Sequence, residues 1–176
     1  PLTYAETGVL NWDKIFNHGL IPSNYLAEQV DRNLAAYLYD YVLPEVQYEA
    51  QIRNSESFAR FLDILGISHG EMISYTNIAR DCGVSGKTVQ HYFDILEDMY
   101  LGYSIYPFQE TSKRQTVQQK PRFYLFDTGL ANYLKRFKWQ SMRGIDAGRG
   151  FEHFVLVELM GYKLLNNKRE TITYWR

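Results

Sequence analysis

The sequence predicts a mainly α-helical fold organised around a helix-turn-helix, with a hairpin after it and a further helix and strand at the C-terminal end. Three observations point there. The stretch "IARDCGVSGKTVQHYFDIL" (residues 78–96) has the small residue, glycine turn and cap of two crossing helices. Apolar residues recur at helical spacing through most of the first hundred residues. Two short aromatic and β-branched runs, "YSIYPF" and "RFYLFD", flank a long polar loop as hairpin strands would. Residues 1–53 read as a helical segment and 54–138 as a winged helix-turn-helix. Residues 139–176 read as a linker and the start of an α/β unit.

"NWDKIFNHGLIPSNYL" reads as a helix ending in a Gly/Pro turn, with Ser23 or Asn24 placed to cap the next helix. In that helix Leu34, Tyr37, Leu38, Tyr41 and Val42 form one apolar stripe, and Pro44 ends it or opens another helix at its first turn. The stripe suits core or partner packing. "SESFARFLDILG" has Phe58, Phe61, Leu62 and Leu65 on one face, Ser55 or Ser57 as cap and Gly66 as its stop. Ser74 is placed to cap "YTNIARD".

Within residues 78–96, Ala79 is the small residue where two helices can touch, and Gly83 supplies a turn tolerant of positive φ. Ser85 is a natural cap for the second helix, and Ile78, Val84, Val89 and Tyr92 fall where locking residues belong. Cys82, in the turn, reads as a small buried residue. The hairpin downstream makes the unit a winged helix. "TGLANYLKRF" is a short helix with cations in its last turn, where the macrodipole favours them. "KWQSMRGIDAGRG" reads as a boundary. "FEHFVLVELMGYKLL" is a helix with Phe151, Phe154, Val155 and Leu159 on one face, and "ETITYWR" is a strand. With its sheet neighbours missing, that strand is expected to be disordered or to pair with a second copy as a dimer.

Charge tempers any claim on DNA. The chain has 19 basic and 20 acidic residues, whereas a dedicated nucleic-acid binder usually shows a basic excess. The second helix would expose Gly86, Lys87, Thr88, Gln90, His91 and Asp94, so one lysine faces Asp94, Glu97 and Asp98. The wing is more basic, with Lys113, Arg114, Lys120 and Arg122 against Glu110. Candidate nucleic-acid contacts are therefore Lys87, Gln90, Lys113, Arg114, Lys120 and Arg122. Packing or protein contact is the competing use. The single cysteine suits a reducing compartment, no apolar run is long enough to span a membrane, and a cytoplasmic location is expected. The four histidines are too dispersed in sequence to suggest a metal cluster. "GVSGKT" has only two residues between its glycines and lies inside the helix-turn-helix, so it is not a phosphate-binding loop.

The ordered set "PLTYAE", "SYTNIARDCGVSGKTVQHYFDILED", "YPFQETSKR", "KPRFYLFDTGLANYL", "GFEHFVLVEL" and "ITYWR" resembles the C-terminal domain of unknown function that follows the ATPase module in prokaryotic AAA-type (AAA+) predicted ATPases. The resemblance spans essentially the whole chain. It implies that the chain is a piece of a longer protein whose ATPase core, with its ATP and Mg²⁺, lies before Pro1. It also implies a second half similar to the PD-(D/E)xK nuclease fold, in which Glu152 is the early acidic residue. The remaining acids and lysine of such a site would lie beyond Arg176. Glu158, six residues from Glu152 on the same helix, falls on a different face and cannot share an ion with it. Within these residues no catalytic set, metal or cofactor is expected. Three functions remain open: a non-catalytic region coupling the ATPase to a protein partner or nucleic acid, a transcription-factor-like DNA reader, and part of a nuclease.

Overall fold

The computed structural model describes residues 1–49, 52, 54–108 and 120–175. It is mainly helical. In order the elements are α1 (Tyr4–Thr7), α2 (Trp12–Asn17), α3 (Pro22–Tyr25), α4 (Val30–Ala36), a π-helical turn (Tyr37–Val42), α5 (Leu43–Glu49), α6 (Ser55–Ser68), α7 (Tyr75–Cys82), α8 (Gly86–Asp98), β1 (Gly102–Pro107), β2 (Arg122–Leu125), α9 (Thr128–Leu134), α10 (Ile145–Leu165) and β3 (Thr173–Tyr174).

Local signals explain most boundaries. Asn11 caps α2 by accepting from Lys14 N–H at 3.1 Å, and Ser85 caps α8 by accepting from Thr88 N–H at 3.1 Å. Each such cap contributes about 1 kcal/mol. α7 ends at Gly83, whose φ of 69° is left-handed, and the Val84 N–H then bonds back to the Ala79 carbonyl at 3.0 Å. Ser74 stands at the N-cap of α7 but makes no side-chain cap bond.

Several local expectations are corrected. Asn54, not Ser55 or Ser57, caps α6, accepting from Ser57 N–H at 3.0 Å; Ser57 is buried in the first turn. Neither Ser23 nor Asn24 caps the helix that carries Leu34: both lie inside the short α3, and Gln29 stands at the N-cap of α4. Gly66 does not stop α6, which runs to Ser68. A Cβ at Gly66 would lie 2.6 Å from the Leu134 carbonyl carbon, so the glycine lets α9 cross α6 closely. Pro44 sits in the first turn of α5, where it cannot donate to the Asp40 carbonyl. The chain widens there into the π turn, with Leu43 N–H bonding Leu38. That extra residue per turn rotates the stripe: Leu34, Leu38 and Val42 are buried, Tyr37 is half-buried and Tyr41 is exposed.

The largest core joins Leu38, Val42 and Val46 of the first helices to Phe58, Phe61 and Leu65 of α6, Val89, Tyr92, Phe93 and Leu96 of α8, and Leu130 and Leu134 of α9. Helices before and after residue 54 thus share one interior. A second core packs Ile15, Phe16 and Leu20 against Trp139, Ala147, Phe154 and Val157. Helix α10 begins within the stretch read as a boundary, and its buried side is Ala147, His153, Phe154, Leu156 and Val157. Phe151, Val155 and Leu159 are exposed. The reason is tertiary: Gly150 lies under Trp139, where a Cβ would be 2.8 Å from the indole, and this contact sets the helix's rotation.

The sheet is mixed, in the order β2-β1-β3. β1 pairs antiparallel with β2, Gly102 opposite Leu125 and Ile105 opposite Arg122. β3 pairs parallel with β1, Tyr106 opposite Thr173. The C-terminal strand thus finds a partner inside the chain, which corrects the expectation that its sheet neighbours are missing. The outer side of β2 is bridged by Met72, with Ile73 N–H donating to the Pro121 carbonyl at 2.8 Å. Ile105 and Tyr124 cover Leu156 of α10.

Candidate functional site

Lys87, Gln90, His91 and Asp94 share the exposed side of α8. Among the described residues Lys87 forms no ion pair, and Lys120 is exposed at the foot of the hairpin. Lys113 and Arg114 lie outside the described residues. Between α8 and the sheet the surface is acidic. Glu97 is half-buried, and burial raises its carboxyl pKa more than its bond with Ser104 lowers it. Tyr75 is pushed up to about 12 by burial first, then by Tyr106, Asp94 and Glu97. A phosphate chain running from α8 to the hairpin would meet these carboxylates.

Arg122 and Glu152, expected to serve two separate functions, are brought together. Arg122 Nη1 donates to Glu152 Oε1 at 3.1 Å, and the guanidinium also stacks on Tyr174 with its carbon 4.9 Å from the ring centroid. The Tyr124 hydroxyl donates to the same Glu152 oxygen. Burial, then this bond, pushes Tyr124 up to about 12. Glu152 is therefore a tether from α10 to β2. Glu158, further along the same helix, accepts from Tyr4 N–H at 2.8 Å and ties α10 to the start of the chain. Among the described residues no three His, Cys, Asp or Glu side chains are placed to hold a metal ion. No helix among them is long and apolar enough to cross a membrane. Cys82 is buried, as expected, and burial raises its thiol pKa.

The "FDTGL" stretch, residues 126–130, has a local physical role. Asp127 is fully buried and caps α9 by accepting from Leu130 N–H at 2.8 Å, while its other oxygen accepts from Leu20 N–H at 2.6 Å. Burial raises its carboxyl pKa more than these two bonds lower it. The buried Thr128 hydroxyl donates to the Ile15 carbonyl. Gly129 touches the backbone after α2, where a Cβ would lie 2.3 Å from Gly19 N. The motif is a latch holding α2 on α9.

One constellation is invisible along the chain. His69, just past α6, and His153, within α10, place their ring centroids 4.4 Å apart. Together they take up both backbone polar groups of Leu125. Its N–H donates to His69 Nε2 at 3.1 Å, and its carbonyl accepts from His153 Nε2 at 2.6 Å. Above them, His69, Gly70, Glu71, Arg122, Tyr124, Arg149 and Glu152 line a cavity of about 140 Å³. Only the presence of histidine could have hinted at this, because the residues meet through tertiary contacts alone.

Fold and site together define a mainly helical domain with a small mixed sheet and polar latches where its helices dock. Over residues 10–141 the chain matches the family described as Domain of unknown function (DUF8612), and it belongs to that family. The match covers the helices from α2 through α9 and stops before α10. No curated protein and no solved structure matches the chain.

Proposed function

We propose that this chain is a non-catalytic winged-helix region of a AAA-type predicted ATPase, coupling the ATPase to a protein partner or nucleic acid. The observation that carries the winged-helix reading is the run α6, Met72 bridge, α7, Gly83 turn, capped α8, β1 and β2. It has the order of three helices followed by an antiparallel strand pair. The ATPase setting is supported by the ordered sequence stretches that resemble such proteins. The non-catalytic reading is supported by Glu152 and Glu158, which are both occupied as tethers. The nuclease-like reading of α10 and β3 rests on the resemblance alone.

Nucleic-acid contact, where it occurs, is expected to be weak and indifferent to sequence. Lys87, Lys113, Arg114 and Lys120 can neutralise only a few phosphates, and Arg122 already holds Glu152. Titration of the chain with a random duplex should give a Kd of about 10⁻⁴ to 10⁻⁶ M at physiological salt. Replacing Lys113 and Arg114 together should flatten the salt dependence by roughly two units of log-log slope. Gln90→Ala should leave affinity unchanged, since one amide beside Asp94 is a poor base reader. A nanomolar site obtained by random-sequence selection, and lost on Gln90→Ala, would instead establish a sequence-specific DNA reader.

ATP with Mg²⁺ should give no heat of binding to this chain by calorimetry, because no phosphate-cradling loop is present in its sequence. Micromolar binding would reopen the Gly83–Lys87 stretch.

A further inference from the structure

We propose that His69 and His153 form a proton-operated clasp on the Leu125 peptide. With both rings neutral it holds α6 and α10 to β2, and it loosens on protonation, because a proton on His69 breaks that ring's bond to Leu125 and a proton on His153 forces a charge into a buried site. This goes beyond the winged-helix reading and stands without it.

The geometry fixes the proton positions. His69 Nε2 accepts from Leu125 N–H, so that nitrogen carries a lone pair and the proton of the neutral ring is on Nδ1. His153 faces the Leu125 carbonyl, so its Nε2 carries the proton and donates. A proton added to His69 can enter only at Nε2, where it sets N–H against N–H and breaks the bond to Leu125. A proton added to His153 enters at Nδ1 and leaves its bond to Leu125 in place, but puts a charge in a site that is only 4% exposed. With ring centroids 4.4 Å apart, the two rings cannot both become cations without strong repulsion.

Among the described residues around the pair, the negative charges are already paired. The described carboxylates lining the cleft each hold a cation: Asp146 holds Lys135 from α9, Glu71 after α6 holds Arg149, and Glu152 holds Arg122 from β2. The remaining titratable neighbour is Tyr124 of β2, whose ring lies 5.6 Å from His69 and 5.9 Å from His153. The other neighbours around the cleft include Phe16, Ala131, Phe137 and Trp139. Burial accordingly pushes His153 down to about 4, against the weaker upward pull of its bond to Leu125. His69 falls well below the ordinary imidazole range through burial first, then His153 and Lys135. The folded-state pKa values are depressed, so the clasp is fully formed above about pH 6.5 and loses strength as pH falls towards 4.

Amide exchange of the whole chain, read residue by residue and corrected for intrinsic rates, tests this directly. Between pH 7.5 and 5.5, protection of the Leu125 amide and of the α10 amides from His153 to Val157 should fall about tenfold. The variant carrying both His69→Gln and His153→Gln, whose amides can accept from and donate to Leu125 without titrating, should lose this response while keeping its helical circular dichroism at pH 7.5. A flat protection profile in the unmodified chain, or an unchanged acid response in the double variant, would overturn the proposal. If the double variant fails to fold, imidazole proton shifts in the unmodified chain decide. A His153 ring titrating near 6.5 refutes the clasp, and one titrating near 4 supports it.

Discussion

Gly129→Ala is expected to lower stability by about 3 kcal/mol or more. A Cβ there would stand 2.3 Å from Gly19 N, 2.4 Å from the His18 carbonyl carbon and 2.5 Å from its oxygen. All three are backbone atoms, which cannot swing aside as a side chain can. Nor can the segment shift freely, because Leu20 N–H is bound to Asp127 and Asn132 Nδ2 donates to the Phe16 carbonyl at 2.9 Å. Urea denaturation of the whole chain measures the effect as a lower midpoint. Gly148→Ala is the matched control. Nothing lies within 4 Å of its added Cβ, and it sits exposed in the first turn of α10. It should stabilise by about 0.5–1 kcal/mol through the helix preference for alanine. Equal midpoints for the two variants would show that the close α2–α9 approach contributes nothing to stability.

Asp127→Ala should cost roughly 2–5 kcal/mol, because it leaves the Leu20 and Leu130 N–H groups without acceptors in a buried site and removes the cap of α9. The loss is no larger because the carboxylate is itself destabilised by burial. It should also be uneven. Exchange protection should fall first from Trp12 to Leu20, while α6, α7 and α8 keep their own core. The sign with pH is opposite to that of the histidine clasp. A raised folded-state pKa means that the folded protein binds the proton more tightly than the unfolded chain does. The advantage of the unmodified protein over Asp127→Ala therefore widens as pH falls through the folded value towards 3.8. A uniform loss of protection across all helices would mean that the latch and the α6–α8 unit unfold as one.

The parts legible in the sequence are those decided within a few residues. Gly83 and Ser85 specify a turn and a cap through their own backbone tolerance and side-chain reach, so α7 and α8 could be drawn without knowing what they pack against. Phe58, Phe61, Leu62 and Leu65 mark the buried face of α6 for the same reason, since helical spacing alone gathers them on one side. The site was less legible. Lys87 and Gln90 could be placed on an exposed helix face, but nothing local announces that Arg122 is held by Glu152.

Contacts between distant segments settled the rest. The apolar positions of α10 fit more than one buried stripe, and the face in use was chosen by Gly150 beneath Trp139 and by Leu156 against the sheet. Gly66 reads locally as a helix stop, yet a crossing helix put it to another use. β3 looked partnerless because its partner, β1, lies far back in the chain. His69 and His153 become a pair only when α6, β2 and α10 meet. Periodicity and capping act over one or two turns, so a sequence carries them openly. Which face is covered, which charge is neutralised and which polar atom is buried depend on the segments that arrive from elsewhere in the chain, and desolvation fixes those choices only after packing.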